Sequence, residues 1–182
     1  MIDTADAEIL ILIKNPATKD KGFIQLMDIY KEPIYWHIRR LVISHEDAED
    51  ILQDTFIQVY RHASSFKGES KIFTWLYRIA TNECTRHFRQ NKRRKENYDL
   101  LNREVKGDLS GTDLEDSRLI IIKFQQAIIQ LPEKQRIVFN LRYYDELSYE
   151  DISQILNASV STLKTNYHYA SEKIKQYLID HA

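Results

Sequence analysis

Glycine and proline are scarce in this chain, four and three among 182 residues. Sandwiches and barrels need frequent turns built on positive φ or fixed proline geometry, so a turn-rich β architecture is excluded. Cysteine is scarcer still. Cys84 stands alone, which rules out an intramolecular disulfide and any paired-cysteine zinc site; it reads as a small apolar residue on a helix. Long apolar runs are missing too. The stretch Ile9-Leu10-Ile11-Leu12-Ile13 stops at Lys14, far short of a membrane span. The acidic start Met1–Glu8 lacks the basic head of a secretion signal. These absences predict a cytoplasmic protein with no membrane insertion. An excess of one charge is lacking as well: 26 Lys+Arg against 27 Asp+Glu leave a net of −1. The motifs GxGxxG, HExxH and GxSxG and the phosphate-cradling glycine loop ahead of Lys-Ser/Thr do not occur, and the six histidines are scattered. An enzyme reading therefore has no residue to rest on, and no metal or cofactor is expected.

What is present, 43% hydrophobic and 29% charged residues, suits a folded chain that is mostly helical. Its charge is unevenly spread. Residues 1–66 carry 7 basic and 11 acidic groups, residues 67–106 carry 11 and 5, and residues 107–182 carry 8 and 11, giving −4, +6 and −3. The basic middle contains Arg86, Arg89 and the run Lys92-Arg93-Arg94-Lys95, which exceeds what a helix C-terminus needs and points to nucleic-acid contact. The stretch Lys106–Ser117 holds two of the four glycines and four acids without apolar period, and reads as a flexible acidic linker. The plan is all-α: helical modules over 1–98 and 118–182, joined by a linker over 99–117.

In the first module Phe23, Leu26, Met27 and Tyr30 recur at helical spacing, and Pro33 predicts a kink or a fresh helix start. Ser44 is placed to cap a helix with Glu46 and Asp47 in its first turn. The inward stripe of that helix is Ile51, Leu52, Thr55, Phe56 and Val59. Its other side crowds Glu46, Asp47, Glu49, Asp50 and Asp54 together with Gln53, which suits either a solvated surface or a docking face for a basic partner. After a hydrophilic break at His62–Ser70, a long helix points Phe73, Leu76, Ile79, Ala80, Cys84 and Phe88 inward. Thr74, Tyr77, Arg78, Thr81, Asn82, Thr85, Arg86 and Arg89 are expected outward. Rings, amides and guanidinium groups on one surface suit single-stranded nucleic acid, through base stacking and phosphate neutralisation.

In the second module Pro132 falls in a first helical turn ahead of Ile137, Val138, Leu141 and Tyr144. Ser148 with Asp151 forms a capping box before Ile152, Ile155 and Leu156. Asn157 accepts the left-handed conformation that ends a helix, and Ser159 caps the next. Val160, Leu163, Tyr167, Ala170, Ile174 and Tyr177 complete a core stripe. Two helices joined by so tight a turn make a helix-turn-helix, though a plain three-helix bundle has the same stripe. Ser161, Thr162, Lys164, Thr165, Asn166, His168 and Tyr169 lie towards its open side, where their donors can read base edges.

The string DAEDILQDTFIQVYRHASSFKGESKIFTWLYRIATNECTRHFR, Asp47 to Arg89, resembles region 2 of extracytoplasmic-function sigma factors of the sigma-70 family. LPEKQRIVFNLRYYDELSYEDISQILNASVSTLKTNYHYASEKI, Leu131 to Ile174, resembles their region 4. The resemblance implies a dissociable specificity subunit of bacterial RNA polymerase. By it, Asp47, Asp50, Leu52, Gln53, Asp54 and Phe56 dock on the clamp coiled coil of core polymerase. Phe66, Lys67, Ser70, Lys71, Trp75, Arg78 and Asn82 capture the unpaired non-template strand of promoter DNA, with Arg86 and Arg89 adding charge beside it. The helix Ser159–Lys173 reads the upstream element as duplex, and its module also sits on the polymerase flap. An anti-sigma factor is a further expected partner. Two departures stand out. Asn166, Tyr169 and Ser171 occupy places where the family commonly has Arg, so duplex binding by the second module alone should be weak. Arg86 stands where many members carry Asp. An autonomous helix-turn-helix regulator is the alternative, and it leaves the first module without a use.

Overall fold

The computed structural model describes residues 4–63, 66, 68, 70–90 and 115–181. The run Lys92–Lys95, Lys67 and the linker up to 114 lie outside them. Among the described residues there are eight helices and no strand: α1 Thr4–Lys14, α2 Lys19–Val42, α3 His45–His62, α4 Ile72–Gln90, α5 Glu115–Gln130, α6 Glu133–Tyr143, α7 Tyr149–Leu156 and α8 Val160–Asp180. Helix α5 begins at Glu115, so its first turn, Glu115-Asp116-Ser117, falls within the stretch read as linker.

The first module packs α2, α3 and α4 around Leu26, Ile34, Ile38, Leu41, Val59, Ile72, Leu76, Ala80 and Cys84, all wholly buried. Each aliphatic side chain so buried contributes about 1.5–3 kcal/mol. Ser44 caps α3 as expected, its Oγ accepting from the Asp47 amide at 3.2 Å. Pro33 does not start a new helix: α2 runs through it. The proline removes the amide that would bond the carbonyl of Ile29, and Ile29 lies in solvent, where water can take that bond. Helix α1 closes onto α2 at Gly22, where an added Cβ would lie 2.8 Å from Leu12 Cβ and 2.9 Å from the Ile13 nitrogen.

In the second module α5, α6 and α8 enclose Ala127, Ile128, Leu131, Phe139, Ala170 and Ile174. Pro132 occupies the N-cap of α6, one residue ahead of the helix. Ser148 Oγ accepts from the Asp151 amide at 3.0 Å, Asn157 sits at φ 50 and ψ 50, and Ser159 Oγ accepts from the Thr162 amide at 3.2 Å. The cap, left-handed stop and second cap together set the tight turn between α7 and α8.

The two modules pack on each other. Ile137, Val138, Leu141, Ile152, Ile155 and Leu163 join the core of the first module, bringing α6 against α2 and α7 against α4. This changes the expected outer surface of α4. Thr74, Tyr77 and Thr81, read as outward, are buried: the Tyr77 ring lies 4.8 Å from that of His37 on α2, Thr81 Oγ1 lies 3.0 Å from His37 Nε2, and α7 packs against the same helix. Ile43, between α2 and α3, has φ 71 and ψ −48, and the Ser44 amide donates to the Val42 carbonyl at 2.9 Å across it, a γ-turn. A β-branched residue there costs about 1–2 kcal/mol. Burial of Ile43 against Ile129 of α5 offsets it.

Candidate functional site

Helix α8 turns one face inward through Leu163, Ala170 and Ile174 and presents the opposite one to solvent. Ser159, Ser161, Thr162, Lys164, Thr165, His168, Tyr169 and Lys173 are exposed there, and Asn166 is half-buried. The face is partly pre-ordered by its own bonds. Thr165 Oγ1 donates to the Ser161 carbonyl and Asn166 Nδ2 to the Thr162 carbonyl, both at 3.0 Å. Lys164 Nζ lies 5.7 Å from the Tyr149 ring, and Lys173 Nζ donates to Gln135 Oε1 at 3.0 Å. Such a face offers hydroxyl, amide and ammonium donors with few full charges.

The second candidate surface starts before α4 and follows that helix. Phe66 is 8% exposed, and its ring lies 4.9 Å from that of half-buried Trp75. Ser70 is half-buried; Lys71, Arg78, Asn82, Arg86 and Arg89 are exposed. The cations are not all open to an incoming polyanion. Lys71 Nζ lies 3.2 Å from Asp151 Oδ1, and Arg78 Nη2 donates to the Gln154 carbonyl. Arg86 meets Asp54 at 2.7 Å and Glu83 at 2.5 Å. The Ser148 hydroxyl, followed by Lys71, holds the Asp151 carboxyl below its ordinary pKa.

The docking candidates of α3 divide between two faces. Asp47 lies 3.4 Å from His87 and Asp54 pairs with Arg86, so these two flank α4, while Asp50 is exposed. Leu52, Gln53 and Phe56 turn the other way, into a groove of about 560 Å³ between α2 and α3. Phe23, Met27, Ile57 and Tyr60 line the rest of its apolar wall. Phe23 packs edge-on to Phe56 at 6.2 Å and to Tyr60 at 5.0 Å. The Tyr60 hydroxyl donates to Asp20 Oδ1 at 2.8 Å, which raises the Tyr60 pKa.

Sequence reasoning missed the polar contacts between the modules. His37 is wholly buried; its Nδ1 lies 2.8 Å from Asp145 Oδ2 and its Nε2 lies 3.0 Å from Thr81 Oγ1. Arg40 Nη1 donates to Asp145 Oδ1 at 2.8 Å. Burial, then the nearby Asp145 carboxylate, pushes the Tyr77 hydroxyl pKa up. The Arg136 guanidinium covers the Phe88 ring at 4.5 Å. One signal was available: His37 interrupts the apolar stripe Ile34, Ile38, Leu41, where a buried polar group needs a partner. Among the described residues no group of three His, Cys, Asp or Glu side chains is placed to hold a metal ion. No helix among them is long and apolar enough to cross a membrane.

Comparison with known proteins follows the same division. The sigma-70 region 2 family model matches residues 26–94, and the sigma-70 region 4 model matches residues 121–174. The chain is 36% identical over 172 residues to the ECF RNA polymerase sigma factor SigW of Bacillus subtilis, covering 87% of this chain and 90% of that one. It is 35% identical over 165 residues to the ECF RNA polymerase sigma-E factor of Haemophilus influenzae, covering 85% and 86%. Against the RNA polymerase sigma-H factor of Pseudomonas aeruginosa the identity is 32%, with 92% of each chain covered. Among solved structures, CnrH in complex with the cytosolic domain of CnrY shares the fold with a TM-score of 0.72 at 18% identity, over 98% of this chain and 99% of that one. The sigma factor RpoE of Bartonella quintana, in complex with the anti-sigma factor NepR, has a TM-score of 0.64 at 23% identity, over 87% and 97%.

Proposed function

Because this chain belongs to the ECF sigma factors of the sigma-70 family, we propose that its two modules divide promoter recognition between an opened strand and a closed duplex. The first docks on core RNA polymerase through α3 and captures the non-template strand on α4. The second reads the upstream element with α8. One observation carries the reading: the exposed polar face of α8 lies opposite the buried stripe Leu163, Ala170 and Ile174, behind a turn fixed by Asn157 and Ser159. That is the placement a major-groove helix needs.

Strand capture is supported by chemistry on α4. Trp75 offers a ring at the surface beside Lys71, Arg78 and Asn82. Stacking one base on such a ring is worth about 1–3 kcal/mol, and each cation neutralises a phosphate. Docking is supported by Asp47, Asp50 and Asp54 on one side of α3, which suit a basic partner, and by the apolar groove on its other side, which suits the apolar face of a helix; the polymerase clamp is the partner we assign to both. The weakly charged recognition face explains why the duplex contact would depend on core polymerase. The flap of the polymerase and an anti-sigma factor complete the partners, the second by analogy with the NepR-bound relative. Nothing in this division of labour requires a catalytic residue or a cofactor.

Run-off transcription tests the reading. Core polymerase with this protein should yield products from a genomic fragment library that core alone does not. The absence of any protein-dependent product overturns it.

A further inference from the structure

Two cations assigned above to strand capture are already engaged within the chain. Lys71 meets the carboxylate of Asp151, and Arg78 meets the backbone carbonyl of Gln154. Both acceptors belong to α7, so the helix-turn-helix presents oxygens where strand phosphates would sit. Along this stretch α7 packs directly against α4. At the far end of the interface the Asp145 side chain is 4% exposed, with one oxygen on His37 and the other on Arg40. A carboxylate this buried is costly unless both oxygens are met, and both partners come from the first module. When the modules separate, Asp145 loses both of these partners and returns to water.

We propose that the docked arrangement is a self-inhibited state in which α7 masks the strand-capture surface of α4, with Asp145 as its latch. The proposal rests on the reading of α4 as that surface. Masking and capture compete for Lys71 and Arg78, so a bound single strand must favour the open form as much as opening favours the strand. A closed form outnumbering the open one tenfold weakens strand affinity by about tenfold.

The test uses the full-length protein with donor and acceptor dyes on Glu32→Cys and Lys175→Cys, both exposed and one in each module. The native Cys84 is buried and stays unlabelled. Energy transfer between the dyes reports closure, and the anisotropy of a fluorescein-labelled dT20 reports strand binding. Asp145→Ala should lower the transfer and tighten dT20 binding by about tenfold. Asp151→Lys, which sets a like charge against Lys71, should also lower the transfer, and it keeps the test available if Asp145→Ala loses helicity. Unchanged transfer in both variants overturns the latch. Lowered transfer with unchanged dT20 affinity overturns the masking while leaving protein-dependent transcription as it was. Adding Lys71→Ala and Arg78→Ala to the opened Asp145→Ala protein separates the two ideas. Loss of the gained affinity supports masking, whereas full retention removes α4 as the strand surface and the masking with it.

Discussion

Reversing two charges on α3, Asp50→Lys with Asp54→Lys, should separate docking from folding. Asp50 is exposed, and Asp54 makes a surface pair with Arg86, both partners about half exposed. A pair of that kind is worth about 0–1 kcal/mol. Against its loss stands relief of repulsion, because five carboxylates, Glu46, Asp47, Glu49, Asp50 and Asp54, fall within nine residues and the double change takes their sum from −5 to −1. Arg86 keeps Glu83. The melting temperature should therefore move by no more than about 2–4 °C. Docking on a basic partner responds differently. Each site forfeits an attraction of about 0.5–1 kcal/mol and acquires a repulsion of similar size. Two sites then total about 2–4 kcal/mol, roughly a 30- to 1,000-fold loss in affinity. Co-purification with core polymerase and a binding titration at low and high salt measure it, with the difference shrinking at high salt. Unchanged affinity in a folded variant would refute the docking role of this face.

Three further outcomes follow from the packing. Gly22→Ala gains about 1 kcal/mol of helix propensity, but its Cβ meets the Ile13 backbone nitrogen at 2.9 Å, which cannot move alone. Overpacking of about 1–3 kcal/mol should win, and calorimetry should show a lower melting temperature; an equal or higher one contradicts the close approach of α1. Burial pushes the Cys84 thiol pKa up, so iodoacetamide should modify the folded protein only at the rate of unfolding, and rapid labelling of native protein would show the site to be open. The Asp151 carboxyl ionises more readily in the folded chain than its ordinary 3.8. Its stabilisation is complete above that value and fades as pH falls through the lower folded one. The melting temperatures of wild type and Asp151→Asn should differ at pH 5 and converge once the pH has fallen through that lowered value, and a gap that persists in acid contradicts the bonds to Ser148 and Lys71.

The local architecture was legible because its signals are local. Ser44, Ser148 and Ser159 cap the helices they precede, and Asn157 takes the left-handed turn, since each needs only the few residues around it. The stripe of α8 was readable for the same reason. The docking of one module on the other was not. His37 and Asp145 are separated by 108 positions, and nothing near either names its partner. Thr74, Tyr77 and Thr81 looked like an outer face because their spacing does not show that α2 brings His37 onto Tyr77 and Thr81, or that α7 packs on the same helix. Likewise Phe66 sits in a hydrophilic stretch and still packs on Trp75, a contact set by the return of the chain into α4. The residues of α3 proposed for docking form one group in sequence, yet they separate onto the α4 side and the groove side once the helix is placed.

The division of labour between the modules is tested most directly by photo-crosslinking within an initiation complex of core polymerase, this protein and a promoter bubble. A photoreactive residue at Trp75 should join the non-template strand inside the bubble, and one at Thr165 should join upstream duplex. Crosslinks from neither position, or with the two targets exchanged, would contradict the account.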